Sequence, residues 1–138
     1  MESVSTSESA MRAVDTNVLV RLIVRDDEPQ MHAAEQFIDK GAWISHVVLA
    51  ETVWVLDAVL ERSPAQIAAA IDMLLNHKQL TLQDADVVAS ALKQYRLRPA
   101  LGFSDCLVLE IARKAGHLPL GTFDRNLAKA EGTLRLSA

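Results

Sequence analysis

The sequence predicts an α/β sandwich in which a parallel sheet is covered by helices on both faces. Short apolar segments that suit strands alternate with longer segments whose apolar residues recur at helical spacing. No two predicted strands are joined by the short turn of a β-hairpin, so neighbouring strands are expected to run in the same direction. The 138 residues, 50% of them hydrophobic, suffice for one domain with a buried core.

The first half of the chain is predicted to contain two strands and four helices. Gly41 ends the second helix, and Ser63 with Pro64 begins the fourth as its N-cap and first residue. The third helix is apolar on nearly all sides, which predicts deep burial. In chain order the segments are strand 11–15, helices 17–24 and 28–41, strand 42–45, and helices 47–61 and 65–76.

The second half of the chain is predicted to continue the alternation of strands and helices. Val87, Ala91 and Tyr95 form an apolar stripe on one helix, and Gly116 ends the next helix. In chain order the segments are strand 80–82, helices 84–95 and 103–116, strand 118–122, a helical turn at 124–132 and a strand at 134–136. Ligands of such sheets bind at the carboxyl ends of the strands.

Composition narrows the class of protein and its compartment. Residues 1–10 are polar and predict a disordered leader or a misassigned start, which leaves residues 11–138 as the folded domain. No apolar stretch reaches the ~20 residues that a membrane span requires. The single cysteine, Cys106, is predicted to pack in a helix, and the lack of a second cysteine suits a reducing cytoplasm. The formal net charge of −4 disfavours RNA binding by the whole surface, but it allows a nuclease whose acidic site holds cations.

Four acidic residues stand where this fold is expected to bring them together. Asp15 ends the first predicted strand, Asp105 and Asp124 stand at the beginning of helical segments, and Glu51 lies inside the apolar third helix. An ionised carboxylate among apolar neighbours needs a cation or several hydrogen-bond donors. Hard divalent cations such as Mg²⁺ and Mn²⁺ prefer carboxylate and water oxygens. The set therefore predicts an acidic metal site.

Each acid also has a purely structural interpretation. Asp15 and Asp124 suit helix N-caps, and Asp105 suits the first turn of a helix, where it faces the positive helix end. Glu51 would then lie on a solvated stripe of its helix. Asp57, on the same helix, is assigned to the surface.

Other side chains are predicted to support the fold. The four histidines show no metal-binding spacing, which disfavours zinc, and are interpreted as surface or packing residues. Trp43 and Trp54 lie in a predicted strand and in the apolar third helix, so we expect both in the core rather than as platforms on which nucleic-acid bases stack. The histidines are His32, His46, His77 and His117.

Four segments of the chain together resemble the ordered motifs of the VapC-like PIN domains, the ribonuclease toxins of bacterial toxin–antitoxin pairs. The segments are AVDTNVLVRL, ISHVVLAETVWVL, LGFSDCLVLEIARKAG and LGTFDRNLAKAEG. The likeness extends from Met11 to the C-terminus. Two features depart from the family pattern: Ser104 stands where the family often has alanine, and the leader before Met11 has no counterpart.

The resemblance implies a three-layer α/β/α sandwich with a short central parallel sheet and a Mg²⁺- or Mn²⁺-dependent endoribonuclease. It places the family's metal-binding acids on Asp15, Glu51, Asp105 and Asp124. Asn17 falls on a position that orients the first aspartate, and Thr122 on the hydroxyl position of the last motif.

The resemblance also implies partners: an RNA substrate, a cognate VapB-like antitoxin whose C-terminal segment occupies the active site, and a second copy of the chain. Apolar positions on the first two helices are candidates for the face of this homodimer. Arg21, Arg25 and Arg125 are candidates for binding the RNA because they closely follow the first or last acid motif, although exposed arginines often serve only as surface charges.

Two other functions stay open at this point. The same fold could serve as a non-catalytic module that binds RNA or protein. A phosphatase or phosphotransferase of the haloacid dehalogenase type also begins with an aspartate after its first strand, but it needs a second acid where this chain has Asn17. The sequence does not reveal which RNA is cut.

Overall fold

Residues 11–138 are described by a computed structural model in which short strands alternate with helices. The leader predicted for residues 1–10 lies outside the described residues. The elements in chain order are β1 (Arg12–Ala13), α1 (Thr16–Val24), α2 (Glu28–Ile38), β2 (Ala42–Ile44), α3 (His46–Trp54), α4 (Pro64–Asn76), β3 (Leu80–Leu82), α5 (Ala85–Leu97), α6 (Phe103–Ala115), β4 (Leu120–Thr122) and β5 (Thr133–Arg135). Single 3₁₀ turns lie at Pro99–Leu101 and Leu127–Lys129.

All strand pairs in this part of the chain are parallel, as predicted. The strands β1, β2 and β3 form one sheet in that order, with Arg12 opposite Ala42 and Ala42 opposite Leu80. The strands β4 and β5 form a separate ladder of two. This arrangement of helices around a small parallel sheet confirms the predicted α/β/α sandwich, with the difference that the last two strands do not extend the main ladder.

The core lies between the three-stranded sheet and the helices that cover it. Ile44 of β2 is 1% exposed, and Leu19 of α1 and Leu109 of α6 are fully buried. Tyr95 packs its ring edge-to-face against Phe103, with 6.1 Å between the ring centroids, so α5 and α6 are joined through aromatic contact. The predicted apolar stripe on α5 is confirmed, since Val87, Ala91 and Tyr95 are all buried.

The predicted helix boundaries have the expected chemistry. Ser63 and Gln66 form a reciprocal capping box at the start of α4. The backbone N–H of Gln66 donates to Ser63 Oγ at 3.2 Å, and the backbone N–H of Ser63 donates to Gln66 Oε1 at 2.9 Å. Gly116 ends α6 in the left-handed region at φ 83°, a conformation that costs glycine little.

The predicted deep burial of the third helix is wrong. Leu49 and Val53 of α3 are buried, but Val47 is 70% exposed and Trp54 is 62% exposed. Helix α3 packs against α1 and α6, and these neighbours do not surround it, so Val47 and Trp54 face solvent while Val48 is half-buried. Trp54 is therefore not a core residue, and Trp43 of β2 is half-buried.

None of the helices within residues 11–138 is long and apolar enough to cross a membrane.

Candidate active site

Asp15 and Glu51 lie on the wall of one cavity of about 480 Å³. Asp15 is the N-cap of α1, where its Oδ1 accepts the backbone N–H of Val18 at 3.1 Å. Glu51 lies on the exposed side of α3, where its Oε1 accepts the hydroxyl of Thr16 at 2.9 Å. Since α1 packs against α3, the end of β1 and the middle of α3 bring the two carboxylates together.

The prediction that Glu51 is buried among apolar neighbours is wrong, because the carboxylate faces the solvent-filled cavity. The buried acid of the described chain is Glu110 on α6, which is 7% exposed. Its carboxylate accepts hydrogen bonds from the Gln94 amide and from Arg113 Nε at 3.2 Å. The sequence analysis did not single out Glu110. Arg113, three residues later on the same helix, indicated that an oppositely charged partner stands on the same side of the helix.

Asp105 and Asp124 form a second pair. Asp105 lies half-buried in the first turn of α6, and Asp124 follows β4. Burial raises the pKa of Asp105, and the negative charge of Asp124 raises this pKa further. The two carboxylates are therefore close enough to repel each other.

Asp124 is also held by its own turn. Its Oδ1 accepts the backbone N–H groups of Asn126 at 2.7 Å and Leu127 at 3.0 Å. Thr122 Oγ1 accepts the backbone N–H of Asp124 at 3.0 Å, which gives the predicted supporting threonine a defined contact. The capping interpretation is therefore correct for Asp15. The 3₁₀ turn has Asn126 as its N-cap, and Asp124 caps the N–H groups of Asn126 and Leu127 at the start of this turn. Each carboxylate keeps its second oxygen for another ligand.

The four carboxylates are not paired with basic side chains in the described part of the chain. Within residues 11–138, none of them forms an ion pair with a lysine, arginine or histidine. Helix α3, which carries Glu51, packs against both α1 and α6, so the helices that carry three of the acids are in contact. The oxygen donors match the chemistry of a hard divalent cation. In the described residues, however, no group of three or more potential ligands is arranged to hold a metal ion, so the structure presents the donors as two pairs.

The predicted polar neighbours fall at different distances from this cavity. Asn17 lines it beside Asp15. Arg21 lines a neighbouring cavity of about 570 Å³ between α1 and α2 that also reaches Asp15, and it forms an ion pair with Asp26. Arg25 pairs with Glu35 at 3.0 Å on the surface, away from both cavities. Arg125 is exposed next to Asp124.

The cysteine and histidines provide packing and surface contacts, as predicted. Burial raises the pKa of the Cys106 thiol to about 11, so the thiol stays protonated at neutral pH and is a poor nucleophile. His77 Nδ1 accepts the backbone N–H of Gln79 at 3.1 Å, and His32 and His117 are exposed. His46 is half-buried, and its Nε2 has no hydrogen-bond partner among the described residues.

Two residues of the cavity were missed from the sequence. Thr16 donates the hydrogen bond that orients Glu51, and its place between Asp15 and Asn17 was the available signal. Trp54 lines the cavity with its exposed side chain, three residues after Glu51 on α3. Its position one turn from an acid on the same helix indicated a shared face, but its apolar surroundings favoured the core interpretation.

The comparison with protein families agrees with this architecture. The sequence profile described as PIN domain matches residues 12–132, which is most of the chain and includes all four acids. The chain belongs to the PIN-domain family. PIN domains are generally nucleases that use divalent metal ions, so membership supports a nuclease fold and disfavours the haloacid dehalogenase alternative. Searches of curated proteins and of solved structures found no significant match.

Proposed function

We propose that this PIN domain is a divalent-metal-dependent endoribonuclease that acts as the VapC-like toxin of a toxin–antitoxin pair. The observation that carries the nuclease activity is the set of four acids, none of which forms an ion pair within residues 11–138 and in which Asp105 and Asp124 repel each other. Such carboxylates favour a bound cation, because it would remove the repulsion.

Asp15, Glu51 and Asp105 would hold Mg²⁺ or Mn²⁺, and Asp124 would hold a second ion or orient the attacking water. When bound, a divalent ion polarises the scissile phosphate and lowers the pKa of a water molecule, which is the chemistry of phosphodiester hydrolysis. The N–H of Val18 fixes Asp15, and the hydroxyl of Thr16 fixes Glu51. Cleavage would leave 5′-phosphate and 3′-hydroxyl ends.

The partners of the proposed toxin are an RNA substrate and a VapB-like antitoxin in the cytoplasm. Asn17 and Thr122 are assigned supporting roles, and Arg21 and Arg125 are the arginines best placed to contact RNA. We also propose a homodimer. Leu19 and Leu22 are buried within the protein, so a dimer face on the first two helices would use partly exposed side chains such as Ile23.

A second candidate function is a non-catalytic PIN-fold module that binds RNA or protein. The observation that favours it is the absence, within residues 11–138, of a ready group of three metal ligands. The presence of all four family acids favours the enzyme.

Cleavage of a mixed, structured RNA pool separates these functions. Purified wild type, Asp15→Asn and Glu51→Gln would be incubated with Mg²⁺, Mn²⁺ or chelator, and the new ends sequenced. Asp57→Asn is the matched control, because Asp57 is an exposed acid close to Glu51 in sequence and outside both cavities near Asp15.

We expect metal-dependent cuts by wild type and by the Asp57 variant, with a loss of at least ~10³-fold in the Asp15 variant. Small phosphate esters should not be hydrolysed. Folded wild type that is free of antitoxin and cuts no RNA with either metal would favour the non-catalytic module.

A further inference from the structure

Trp54 stands at the cavity of Asp15 and Glu51 with most of its indole surface in contact with solvent. It is 62% exposed and, with Asn17, lines the same cavity of about 480 Å³ as the two carboxylates. Glu51 and Trp54 lie three residues apart on α3, so their side chains project from one side of the helix. A large flat ring thus lies beside the proposed cleavage site.

The helix changes form directly after Trp54. The Val55 N–H donates to the carbonyl oxygens of both Glu51 and Thr52, and residues Val55–Val59 then continue as a π-helical turn. Leu60 closes this turn with a 3.0 Å hydrogen bond from its N–H to the Val55 carbonyl. Single π-helical turns are rare and occur often at functional sites. This irregularity therefore points independently to the part of α3 that carries Trp54.

We infer that Trp54 is a stacking platform for an unpaired base of the RNA, next to the phosphate that is cut. This inference rests on the proposed function and assigns Trp54 as a residue that determines its specificity. Every base presents a flat face that can stack on an indole, but bases inside a duplex are already stacked on their neighbours. Trp54 would therefore select for unpaired RNA.

The composition of the cavity suits a nucleotide. The carboxylates of Asp15 and Glu51 repel the RNA phosphates until a cation is bound, so an attraction that does not depend on charge strengthens binding beside them. Stacking on Trp54 would supply this attraction. The Asn17 amide lines the same cavity and offers both a donor and an acceptor to a base edge.

Tryptophan fluorescence tests this inference without RNA cleavage. The chain has two tryptophans, so Trp43→Phe leaves Trp54 as the sole indole. In this background Asp15→Asn and chelator prevent cleavage. The probes are a short random-sequence RNA and the same RNA paired with its complement. We expect saturable quenching by the unpaired RNA, with binding about tenfold tighter than that of the duplex.

Substitution of Trp54 then separates stacking from general apolar contact. With dye-labelled unpaired RNA and fluorescence anisotropy, Trp54→Leu should weaken binding about tenfold, and Trp54→Phe should recover part of the loss because it keeps an aromatic face. In the cleavage-competent protein, Trp54→Leu should raise KM more than it lowers kcat. Since Trp54 is exposed, both variants are expected to fold, which circular dichroism checks.

Several results would overturn the inference. Equal binding of RNA by Trp54→Leu and its parent, or equal quenching by unpaired RNA and duplex, excludes a stacking role. A change of molecular mass with no change of RNA affinity in Trp54→Leu assigns the ring to contact between two copies of the chain. Quenching by RNA together with no cleavage by the wild type would reject the nuclease but leave the stacking role of Trp54 standing. Cleavage that is as fast in Trp54→Leu as in the wild type would reject the stacking role but leave the nuclease standing.

Discussion

The two carboxylate pairs of the site differ in how their charges are compensated. In the first pair, Asp15 accepts a backbone N–H and Glu51 accepts the hydroxyl of Thr16. In the second pair, burial and the neighbouring charge of Asp124 raise the pKa of Asp105. The first pair is therefore held by neutral donors from α1. In the second pair two backbone N–H groups hold Asp124, but Asp105 retains a repulsion that a cation would relieve.

The pairs also differ in what holds them in place. Asp15 follows β1 of the three-stranded sheet and caps α1, which packs against α3, the helix that carries Glu51. Asp124 belongs to the separate β4–β5 ladder, and two arginines attach this part of the chain to α5 and α6. Arg98 Nη1 donates to the Lys129 carbonyl at 3.0 Å, and Arg113 Nη2 donates to the Glu131 carbonyl at 2.7 Å. Asp15 and Asp124 are both exposed, but very different parts of the fold hold them in place.

The largest expected contrast between the pairs is catalytic. Asp15→Asn should lower kcat by at least ~10³-fold, whereas Asp124→Asn should lower it by about 10- to 100-fold, because Asp124 is assigned the second ion or the water. Asparagine keeps an oxygen acceptor for the capping hydrogen bonds, so both variants should unfold at nearly the wild-type temperature. Single-turnover cleavage of one identified RNA measures the difference. Equal losses in the two variants would remove the proposed division of roles.

The second contrast concerns stability, because the Asp124 region is attached through a buried charge. Arg113→Ala leaves Glu110 buried without its cation and the Glu131 carbonyl without its donor, which should cost about 2–3 kcal/mol of unfolding free energy. Urea denaturation measures this loss.

Lys114→Ala is the matched control on the same helix. Lys114 pairs with Asp84 at 3.2 Å and Asp86 at 3.0 Å on the surface, where water and salt screen the charges, so its loss should change the unfolding free energy little. If the two alanine variants lose the same stability, Arg113 is not the anchor of the C-terminal ladder.

The third prediction weakens the preorganisation of the first pair. Thr16→Val removes the hydroxyl that holds Glu51 but keeps a β-branched side chain. We expect kcat/KM to fall about tenfold, because a hydrogen bond of about 1.4 kcal/mol to a charged group is lost. Thr16→Ser should retain most of the activity, because it keeps the donor. Loss of activity in the serine variant as well would assign Thr16 to packing.

The smallest effect is the pH dependence of stability that Asp105 contributes. A carboxyl whose pKa is raised in the folded state destabilises the protein as pH rises from its ordinary pKa of 3.8 through the raised value. Asp105→Asn should therefore raise the thermal midpoint by a few degrees at neutral pH, and this gain should vanish below the ordinary pKa. Melting curves without added metal measure it. A lower thermal midpoint at neutral pH would show that the favourable interaction of the Asp105 carboxylate with the positive end of α6 outweighs its repulsion by Asp124.

Local patterns in the sequence predicted most of the fold. The capping box at Ser63 and the glycine at Gly116 depend on neighbouring residues, and both boundaries are confirmed. The apolar third helix was misjudged because its hydrophobicity does not reveal how many helices surround it. Trp54 and Glu51 consequently appeared buried, whereas the buried acid, Glu110, depends on Gln94 and Arg113 across a helix–helix contact.

The sequence correctly predicted the local positions of three acids: Asp15 follows β1, Asp124 follows β4 and Asp105 lies in the first turn of α6. Their expected gathering at one edge of a single sheet stays a prediction, because β4 belongs to a separate ladder and residues 11–138 contain no group of three metal ligands. The contact between Thr16 and Glu51 was not predictable, since it depends on the distance between α1 and α3. The π-helical turn at Val55–Val59 has no signature in the local sequence, and the structure gives no physical cause for it.

Binding of Mn²⁺ tests most directly whether the two pairs act as one site. Titration of the wild type, Asp15→Asn and Asp105→Asn, followed by the electron paramagnetic resonance signal of free Mn²⁺, reports affinity and stoichiometry without RNA. We predict that both substitutions, one from each pair, weaken binding of the same ion at least tenfold, while Asp57→Asn leaves it unchanged. Wild-type affinity in either the Asp15 or the Asp105 variant would contradict a shared metal site.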